Sequence, residues 1–328
     1  LFLYTRTESK RATGEEAGGK TPEQQLAYAR SWSLHPEEVA SLVVPEFGGY
    51  DAPMEGQSNY WGRNPFKINS EYFGVLAVLL ALMILPEFRR RPQVALLAGI
   101  FALALAYMLG QHTPVHWLAF HLLPGAKIQR TIGMGSFVFA FAGCALAGLG
   151  LHRVMEADEE ERAALRRRLL YAGGALSGFA LLVALFPKAV TGAWIAVFYA
   201  DITPKQQQIL AAGYNWIAKG GLSVMLVAAA GSALLYLRLQ QKVAATALVA
   251  GLCLLTLFDT WRVDRVYLHY RDPGRYMDIR KENPRDIQFL KDDSALFRIF
   301  PVPNFQILDQ PGYHLHGIPI ITGFHDLT

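Results

Sequence analysis

The sequence predicts a mainly α-helical protein that crosses a membrane several times, and three observations lead to this fold class. Residues 131–151 contain no charged side chain and lie between Arg130 and the charged run that begins at Arg153. At 1.5 Å per residue, an uncharged helix of about 20 residues covers the ~30 Å hydrocarbon core of a bilayer. Five more apolar runs accompany this one, and 52% of all residues are hydrophobic. We therefore expect a polytopic membrane protein.

The first 71 residues form a polar segment that we place outside the membrane. Residues Thr21 to Gln24 match a capping box with proline at the first helical position, which predicts a short amphipathic helix. A second short helix is expected from Ser33 onward, with Glu37 and Glu38 near the positive end of its dipole. Glycines and aromatic residues follow in a loop rich in turn residues.

The apolar runs give the predicted spans. These are residues 72–86, 93–110, 131–151, 169–187, 219–237 and 243–258. The run 189–200 is expected to be interfacial or re-entrant, because a seventh crossing there would move the cations that follow it to the other side. Small residues four apart predict close helix–helix approach, as Gly143 with Ala147 and, more weakly, Gly174 with Gly178.

The orientation follows from the Lys and Arg residues in the short loops, which are enriched on the cytoplasmic side of membrane proteins. One alternating set of loops holds ten of them, and the opposite set holds five. The first set is therefore predicted to be cytoplasmic. Both long ends, residues 1–71 and 259–328, are then expected outside.

The chain becomes polar again after Asp259. Short runs of β-branched and aromatic residues, punctuated by Pro and Gly, predict the start of an external α+β or β domain over 259–328. We expect this domain to be truncated and the chain to be a piece of a longer polypeptide. Cys144 and Cys253 both lie in apolar runs, so neither a disulfide nor a metal framework is expected. No basic stripe with interleaved aromatics indicates nucleic acid.

The outer loop 111–130 is the first place where the residues suggest chemistry. It carries His112, His116, His121, Lys127 and Arg130 at the outer rim of the membrane. Cations there could hold the phosphate of a lipid-linked substrate, and an arginine adds paired hydrogen bonds. The alternative is that these side chains only snorkel to the lipid headgroups.

Carboxylates and histidines elsewhere each have a functional and a structural interpretation. Glu37 and Glu38 could act as acid, base or metal ligands. Neighbouring helical positions point about 100° apart, however, so stabilisation of a helix start explains the pair as well. His314 and His316, with His325 and Asp326 nearby, suggest either a zinc site or an ordinary surface strand. Asp259 and Asp264 are expected to be a solvated span boundary.

Three stretches of the chain resemble the YfhO-like family of bacterial membrane proteins. They are SWSLHPEEVASLVVPEFGGY at 31–50, NYWGRNPF…EYFG at 59–74 and LGQHTPVHWLAFHLLPGAKIQRTIGMGSF at 109–137. Asp259 and FRIFPV at 297–302 fit the family's transition into its external domain more loosely. The chain departs from the family at 128–131, where an aromatic residue usually precedes the arginine and a proline follows it.

The resemblance implies a GT-C-like fold in the bacterial cytoplasmic (inner) membrane. Such proteins take a sugar from a polyprenyl-phosphate carrier on the outer face and transfer it to a cell-envelope polymer or lipid. The catalytic carboxylate commonly sits in a first external loop near the N-terminus, which we expect upstream of this chain. Glu37 and Glu38 are therefore only weak catalytic candidates. The candidates for binding substrate or phosphate are Arg130, Lys127, His121, His35, Trp61 and Tyr60.

Two other functions remain open at this stage. A transporter or flippase of the same lipid-linked material is one, although transporters usually carry charges or interruptions at mid-membrane and the six runs have no charge apart from Lys219 at the first position of one run. A non-catalytic envelope protein that binds polymer is the other. We expect the lipid bilayer, the donor and the acceptor as partners. No cofactor is evident, and a divalent metal has no support in the sequence.

Overall fold

The computed structural model describes residues 21–52, 57–64, 70–123, 126, 132–268 and 284–292. Over these ranges the protein is mainly helical, as the sequence predicts. Residues Gln25–Leu268 form one compact unit, and a second unit includes the short helix Pro284–Asp292. The predicted strands after residue 292 lie outside the described ranges. The division of the chain into an external segment, a membrane domain and a second external domain stays a prediction.

The polar segment contributes two short helices and a small hairpin. Helix α1 spans Pro22–Ala29 and starts at the proline expected from the sequence. Helix α2 spans Pro36–Ser41 and starts three residues after the expected Ser33. Strands β1 (Asp51–Ala52) and β2 (Gln57–Ser58) pair antiparallel, with Asp51 opposite Ser58. The segment is not a detached loop, because its side chains join the main core, as the buried residues Ala40, Val44, Phe47 and Trp61 show.

The apolar part of the chain folds into a bundle of helices. They are α3 (Val75–Ile84, continued as a 3₁₀ turn over Leu85–Glu87), α4 (Pro92–Met108), α5 (Pro114–Leu122), α6 (Ser136–Glu156), α7 (Glu159–Leu185), α8 (Pro187–Phe198), α9 (Pro204–Leu239) and α10 (Ala245–Tyr267). Helix α11 is Pro284–Asp292. Short 3₁₀ turns at Gly110–His112 and Ile132–Gly135 precede α5 and α6.

Four of the described helices, α6, α7, α9 and α10, are long and apolar enough to cross a membrane. Helices α3 and α4 coincide with two further predicted spans but are shorter. Many large apolar side chains point away from the protein, such as Phe141, 71% exposed, and Leu254, 68% exposed. An apolar surface of this kind is unfavourable in water and suits contact with lipid.

Two helices start well before the apolar runs that predicted them. Helix α7 begins at Glu159 and α9 at Pro204, whereas the predicted spans begin at 169 and 219. Both starts have a capping box, in which Asp158 pairs with Glu161 and Thr203 with Gln206. Hydropathy marks the part of a helix that suits lipid, while capping decides where the helix begins.

Candidate functional site

The segment before α2 is fixed to the ends of two bundle helices. The backbone N–H of Leu34 donates to the carbonyl of Met108 at 2.8 Å, and that of Gly133 donates to the carbonyl of Trp32 at 3.1 Å. Gly110 allows this approach, because its φ is +50° and a Cβ there would lie 1.9 Å from the Ser33 hydroxyl oxygen. The start of α2 is therefore held where α4 ends and α6 begins.

Glu37, at the start of α2, is fully buried and paired with Arg63. Its Oε2 lies 3.0 Å from Arg63 Nη2, and its Oε1 accepts the backbone N–H of Arg63 at 2.9 Å. Burial acts to raise the pKa of Glu37, but the hydrogen bond and charge of Arg63, a backbone hydrogen bond and Tyr199 together outweigh it and hold the pKa below its ordinary value. The carboxylate is therefore ionised, and both of its oxygens already accept a hydrogen bond.

Arg63 is held on its other sides by the last residue of α8 and the residue after it. Its Nη1 donates to the carbonyl of Phe198 at 3.3 Å, and its guanidinium carbon lies 3.9 Å from the centre of the Tyr199 ring. The Tyr199 hydroxyl is near enough to Glu37 for burial and the carboxylate charge to raise its pKa, although it has no well-formed hydrogen bond among the described residues. About a quarter of the Arg63 side chain stays exposed, so the cation reaches the surface of the cluster.

Glu38 is also fully buried but has separate partners. Its Oε2 accepts the backbone N–H of His35 at 2.8 Å and caps the helix, while its Oε1 accepts the Tyr60 hydroxyl at 3.1 Å. Burial and the two nearby carboxylates raise the pKa of Tyr60, so this hydroxyl stays a donor. The two acids point to different partners, as expected for neighbouring positions on a helix.

Trp61 connects this polar cluster to the apolar core. Its indole N–H donates to the carbonyl of Phe47 at 2.6 Å, and its ring lies near the rings of Phe47 and Tyr199. Gln206, in the first turn of α9, donates to the carbonyl of Trp61 at 3.1 Å. The aromatic residues predicted from the loop therefore act first as packing contacts.

Two histidines meet at the edge of the cluster. His35 Nδ1 lies 3.0 Å from His112 Nε2, so one ring must donate and the other accept. Burial, together with the charges of His35 and Arg63, lowers the pKa of His112. His116, another member of the same loop, is buried and receives a hydrogen bond from Arg30.

A second charged network lies between the turn after α2 and the end of α10. Arg262 forms ion pairs with Glu46 and with Asp259, the latter at 3.4 Å. Asp259 also accepts the Tyr72 hydroxyl and the backbone N–H of Val75, the first residue of α3. The expectation that Asp259 is a solvated span boundary is wrong, since the side chain is fully buried and caps a different helix.

The predicted site residues do not all come together. His35, Tyr60, Trp61, Glu37 and Glu38 belong to one cluster. His121 does not join it, and instead lies exposed on α5 beside Trp117. Lys127 and Arg130, and the three histidines after residue 313, lie outside the described residues. Within the described ranges, no group of three or more His, Cys, Asp or Glu side chains is placed to hold a metal ion.

Sequence reasoning missed the cations of both networks. Arg63 lies in the tryptophan-glycine stretch after β2, but its pairing with Glu37 spans 26 positions. Arg262 lies beyond the predicted end of the last span, where a charge looks solvated. The sequence offered one signal for the second network: Arg262 lies just past an apolar run, and Asp259 lies one helical turn before it.

The other end of the bundle is rich in arginine. Glu87, 7% exposed, forms ion pairs with Arg91 at 2.7 Å, with Arg168 at 2.8 Å and with Arg153 at 3.4 Å. These residues come from the start of α4, the end of α6 and the start of α7. The Glu37 cluster lies where α4 ends and α6 begins, so the two sets of charges occupy opposite ends of these helices.

Comparison with known proteins gives no relative: no protein-family model, curated protein or solved structure matches this chain.

Proposed function

We propose that this chain is the membrane-embedded part of a glycosyltransferase with a GT-C-like fold. It would transfer a sugar from a polyprenyl-phosphate donor to a cell-envelope polymer or lipid on the outer face of a bacterial inner membrane. Six spans cross the bilayer in this proposal, the four long helices together with α3 and α4, and residues 1–71 and 259–328 lie outside.

The observation that carries the proposal is the folded, polar segment over residues 31–52 and 57–64 at one end of the apolar helices. It brings the partly exposed guanidinium of Arg63, held by the buried Glu37, to the end of the helices where the water-soluble head of a lipid-linked substrate would sit. The arginine-rich end lies opposite, as expected if that end faces the cytoplasm. The resemblance of residues 31–50, 59–74 and 109–137 to YfhO-like proteins points to the same chemistry.

In this proposal, cations of the outer loop bind the donor phosphate. A carboxylate other than Glu37 or Glu38 acts as the general base. Arg130, one helical turn from Lys127 in sequence, would bind the donor phosphate through paired hydrogen bonds. Glu37 and Glu38 are poorly suited to act as the base, because each is fully buried and already accepts hydrogen bonds with both oxygens. Their role would be to hold the polar segment in place.

Sugar transfer by the full-length gene product in membranes tests this function. Replacing Arg130 with Lys keeps the charge but removes the paired geometry, so we expect a loss of about ten- to a hundredfold in rate, or ~1–3 kcal/mol. Arg89→Lys, in the loop between α3 and α4, is the matched control and should keep full activity. Unchanged transfer by Arg130→Lys at equal protein level would exclude the phosphate role.

A second candidate function is non-catalytic binding of an envelope polymer. It is favoured by the complete pairing of Glu37 and Glu38, which leaves neither carboxylate open as a base. A full-length protein that binds polymer in pull-down assays but transfers no sugar from any polyprenyl-phosphate donor would support this alternative. Movement of the intact lipid-linked sugar across proteoliposomes, with no transfer, would instead indicate a flippase.

A further inference from the structure

Three arginines converge on one buried carboxylate at the end of the bundle opposite the Glu37 cluster. Glu87 Oε2 lies 2.7 Å from Arg91 Nε. Its Oε1 lies 2.8 Å from Arg168 Nη1 and 3.4 Å from Arg153 Nε. Burial acts to raise the pKa of Glu87, but the hydrogen bond from Arg168 and the charges of the three arginines outweigh it and lower the pKa. The ionised carboxylate therefore holds three guanidinium groups close together, and we call these four residues the arginine cluster.

The arginine cluster keeps unused hydrogen-bond donors and a surplus of positive charge. Arg91 contacts Glu87 through Nε alone, and its two terminal nitrogens have no partner among the described residues. Its side chain is 39% exposed, and that of Arg168 is 28% exposed. Arg153 also pairs with Glu161, so three arginines face two carboxylates. One positive charge is therefore unbalanced, and the donors that carry it reach the surface.

The arginine cluster lies where the apolar, lipid-facing surface begins. Leu170, 63% exposed, comes two residues after Arg168 on α7, and Phe88, 45% exposed, lies in the turn between α3 and α4. Leu96, 64% exposed, comes five residues after Arg91 on α4. Exposed apolar side chains on these helices suit contact with acyl chains, so the guanidinium groups beside them lie at the depth of the lipid headgroups.

We propose that the arginine cluster binds the headgroup phosphate of an anionic phospholipid from the surrounding bilayer. The planar fork of an arginine matches the oxygens of a phosphate, and basic sites between membrane helices bind anionic headgroups. A zwitterionic lipid fits less well, because the unbalanced positive charge repels its ammonium group. Glu160, an exposed acid of α7, lies eight residues before Arg168, or about 12 Å farther from the apolar surface. The inference is independent of the proposed sugar transfer.

Lipid binding by the full chain tests this proposal. With the protein in a non-ionic detergent, native mass spectrometry follows binding of phosphatidylglycerol and of phosphatidylcholine with the same acyl chains. We expect phosphatidylglycerol to bind about fivefold more tightly or better. Arg91→Gln removes the most exposed arginine of the cluster and should weaken phosphatidylglycerol binding about fivefold, while Glu87 keeps its other two arginines. Lys188→Gln removes an exposed cation at the other end of α7, and this matched control should bind as the unmodified protein does.

Arg91→Lys separates lipid binding from folding. It keeps a positive charge beside Glu87 but loses the planar fork. We expect it to bind phosphatidylglycerol more weakly than the unmodified protein and more tightly than Arg91→Gln.

Three outcomes would overturn the inference. They are equal affinity for the two lipids, equal affinity of Arg91→Gln and Lys188→Gln for phosphatidylglycerol, and displacement of phosphatidylglycerol by an equal concentration of inorganic phosphate. The last outcome would show that the cluster takes a soluble anion instead of a lipid. Selective lipid binding that depends on Arg91, with no sugar transfer in membranes, would keep the lipid site and reject the glycosyltransferase.

Discussion

The Glu37–Arg63 pair illustrates how one buried contact organises the polar segment. Glu37 has no exposed surface, and its carboxylate receives hydrogen bonds from both the side chain and the backbone of Arg63. A buried charge without its partner is costly, so the pair specifies where the loop after β2 must lie. Arg63 in turn contacts the end of α8 through Phe198 and Tyr199.

Replacing Arg63 with Ala should destabilise the protein strongly. Glu37 would stay buried without a counter-charge, and we expect a loss of about 2–3 kcal/mol, discounted for the partly exposed arginine. The measurement is the thermal unfolding midpoint in nanodiscs. Arg167→Ala, which removes an exposed arginine of α7, is the control and should leave the midpoint nearly unchanged. Equal midpoints for both variants would contradict a structural role for the pair.

The same pair predicts a specific pH dependence. The pKa of Glu37 is held below its ordinary value of 4.5, so its contribution to stability is present above that pH and is lost as the pH falls below it. In Arg63→Ala the side-chain hydrogen bonds and the charge of the arginine are lost while the burial remains, so the pKa of Glu37 should be higher than in the unmodified protein. The difference in unfolding midpoint between the two proteins should therefore shrink from pH 7 to pH 4. A constant difference over this range would show that Glu37 is not the group responsible.

At the residue scale, the sequence predicted local helix geometry better than it predicted which side chains contact each other. The spacing of Glu37 and Glu38 correctly implied that they would not converge, and a short helix is present in this stretch, although it starts at Pro36 rather than at Ser33. The partners Arg63 and Tyr60 come from a loop more than twenty positions away, and no local pattern encodes that contact. Asp259 was misjudged because hydropathy cannot distinguish a charge facing solvent from one that caps a neighbouring helix.

At the scale of elements, the helices pack through particular glycines. A Cβ at Gly150 on α6 would lie 2.3 Å from the carbonyl oxygen of Leu80 on α3, and one at Gly221 on α9 would lie 2.7 Å from that of Ala180 on α7. The sequence predicted small residues at helix contacts, and Gly143 and Ala147 are indeed buried. A Cβ at Gly174 or Gly178, however, would meet no described atom within 4 Å, so that pair is not a contact.

Gly150 and Gly148 provide a matched test of this packing. Gly150→Ala should force α3 and α6 apart and cost about 1–3 kcal/mol, because the obstacle is backbone rather than a flexible side chain. The new methyl group in Gly148→Ala meets no described atom within 4 Å and should be neutral or slightly stabilising, since alanine favours a helix. Thermal unfolding of both variants gives the comparison. A Gly148→Ala variant as unstable as Gly150→Ala would argue against close packing at Leu80.

At the scale of the whole molecule, charge separates the two ends of the bundle. One end gathers Arg91, Arg153 and Arg168 around Glu87, and the other carries the Glu37 cluster. Counting cations in loops predicts this asymmetry because it needs no knowledge of contacts. The sequence could not predict that residues 25–64 would join the same compact unit as the helices, since that packing depends on long-range contacts such as Trp61 with Phe47.

The proposed topology makes a prediction for single cysteines in a background in which Cys144 and Cys253 are replaced. Six crossings are an even number, so both ends of the chain should lie on the same, external side. Ser31→Cys and Asp292→Cys, both at exposed positions, should react with an impermeant thiol reagent in intact cells whose outer membrane, if present, is permeabilised. Arg90→Cys, exposed at the arginine-rich end, should react only after the cytoplasmic membrane is broken. If only one of the first two cysteines reacts, the number of spans is odd, and α3, α4 or the short helix α8 has been assigned incorrectly.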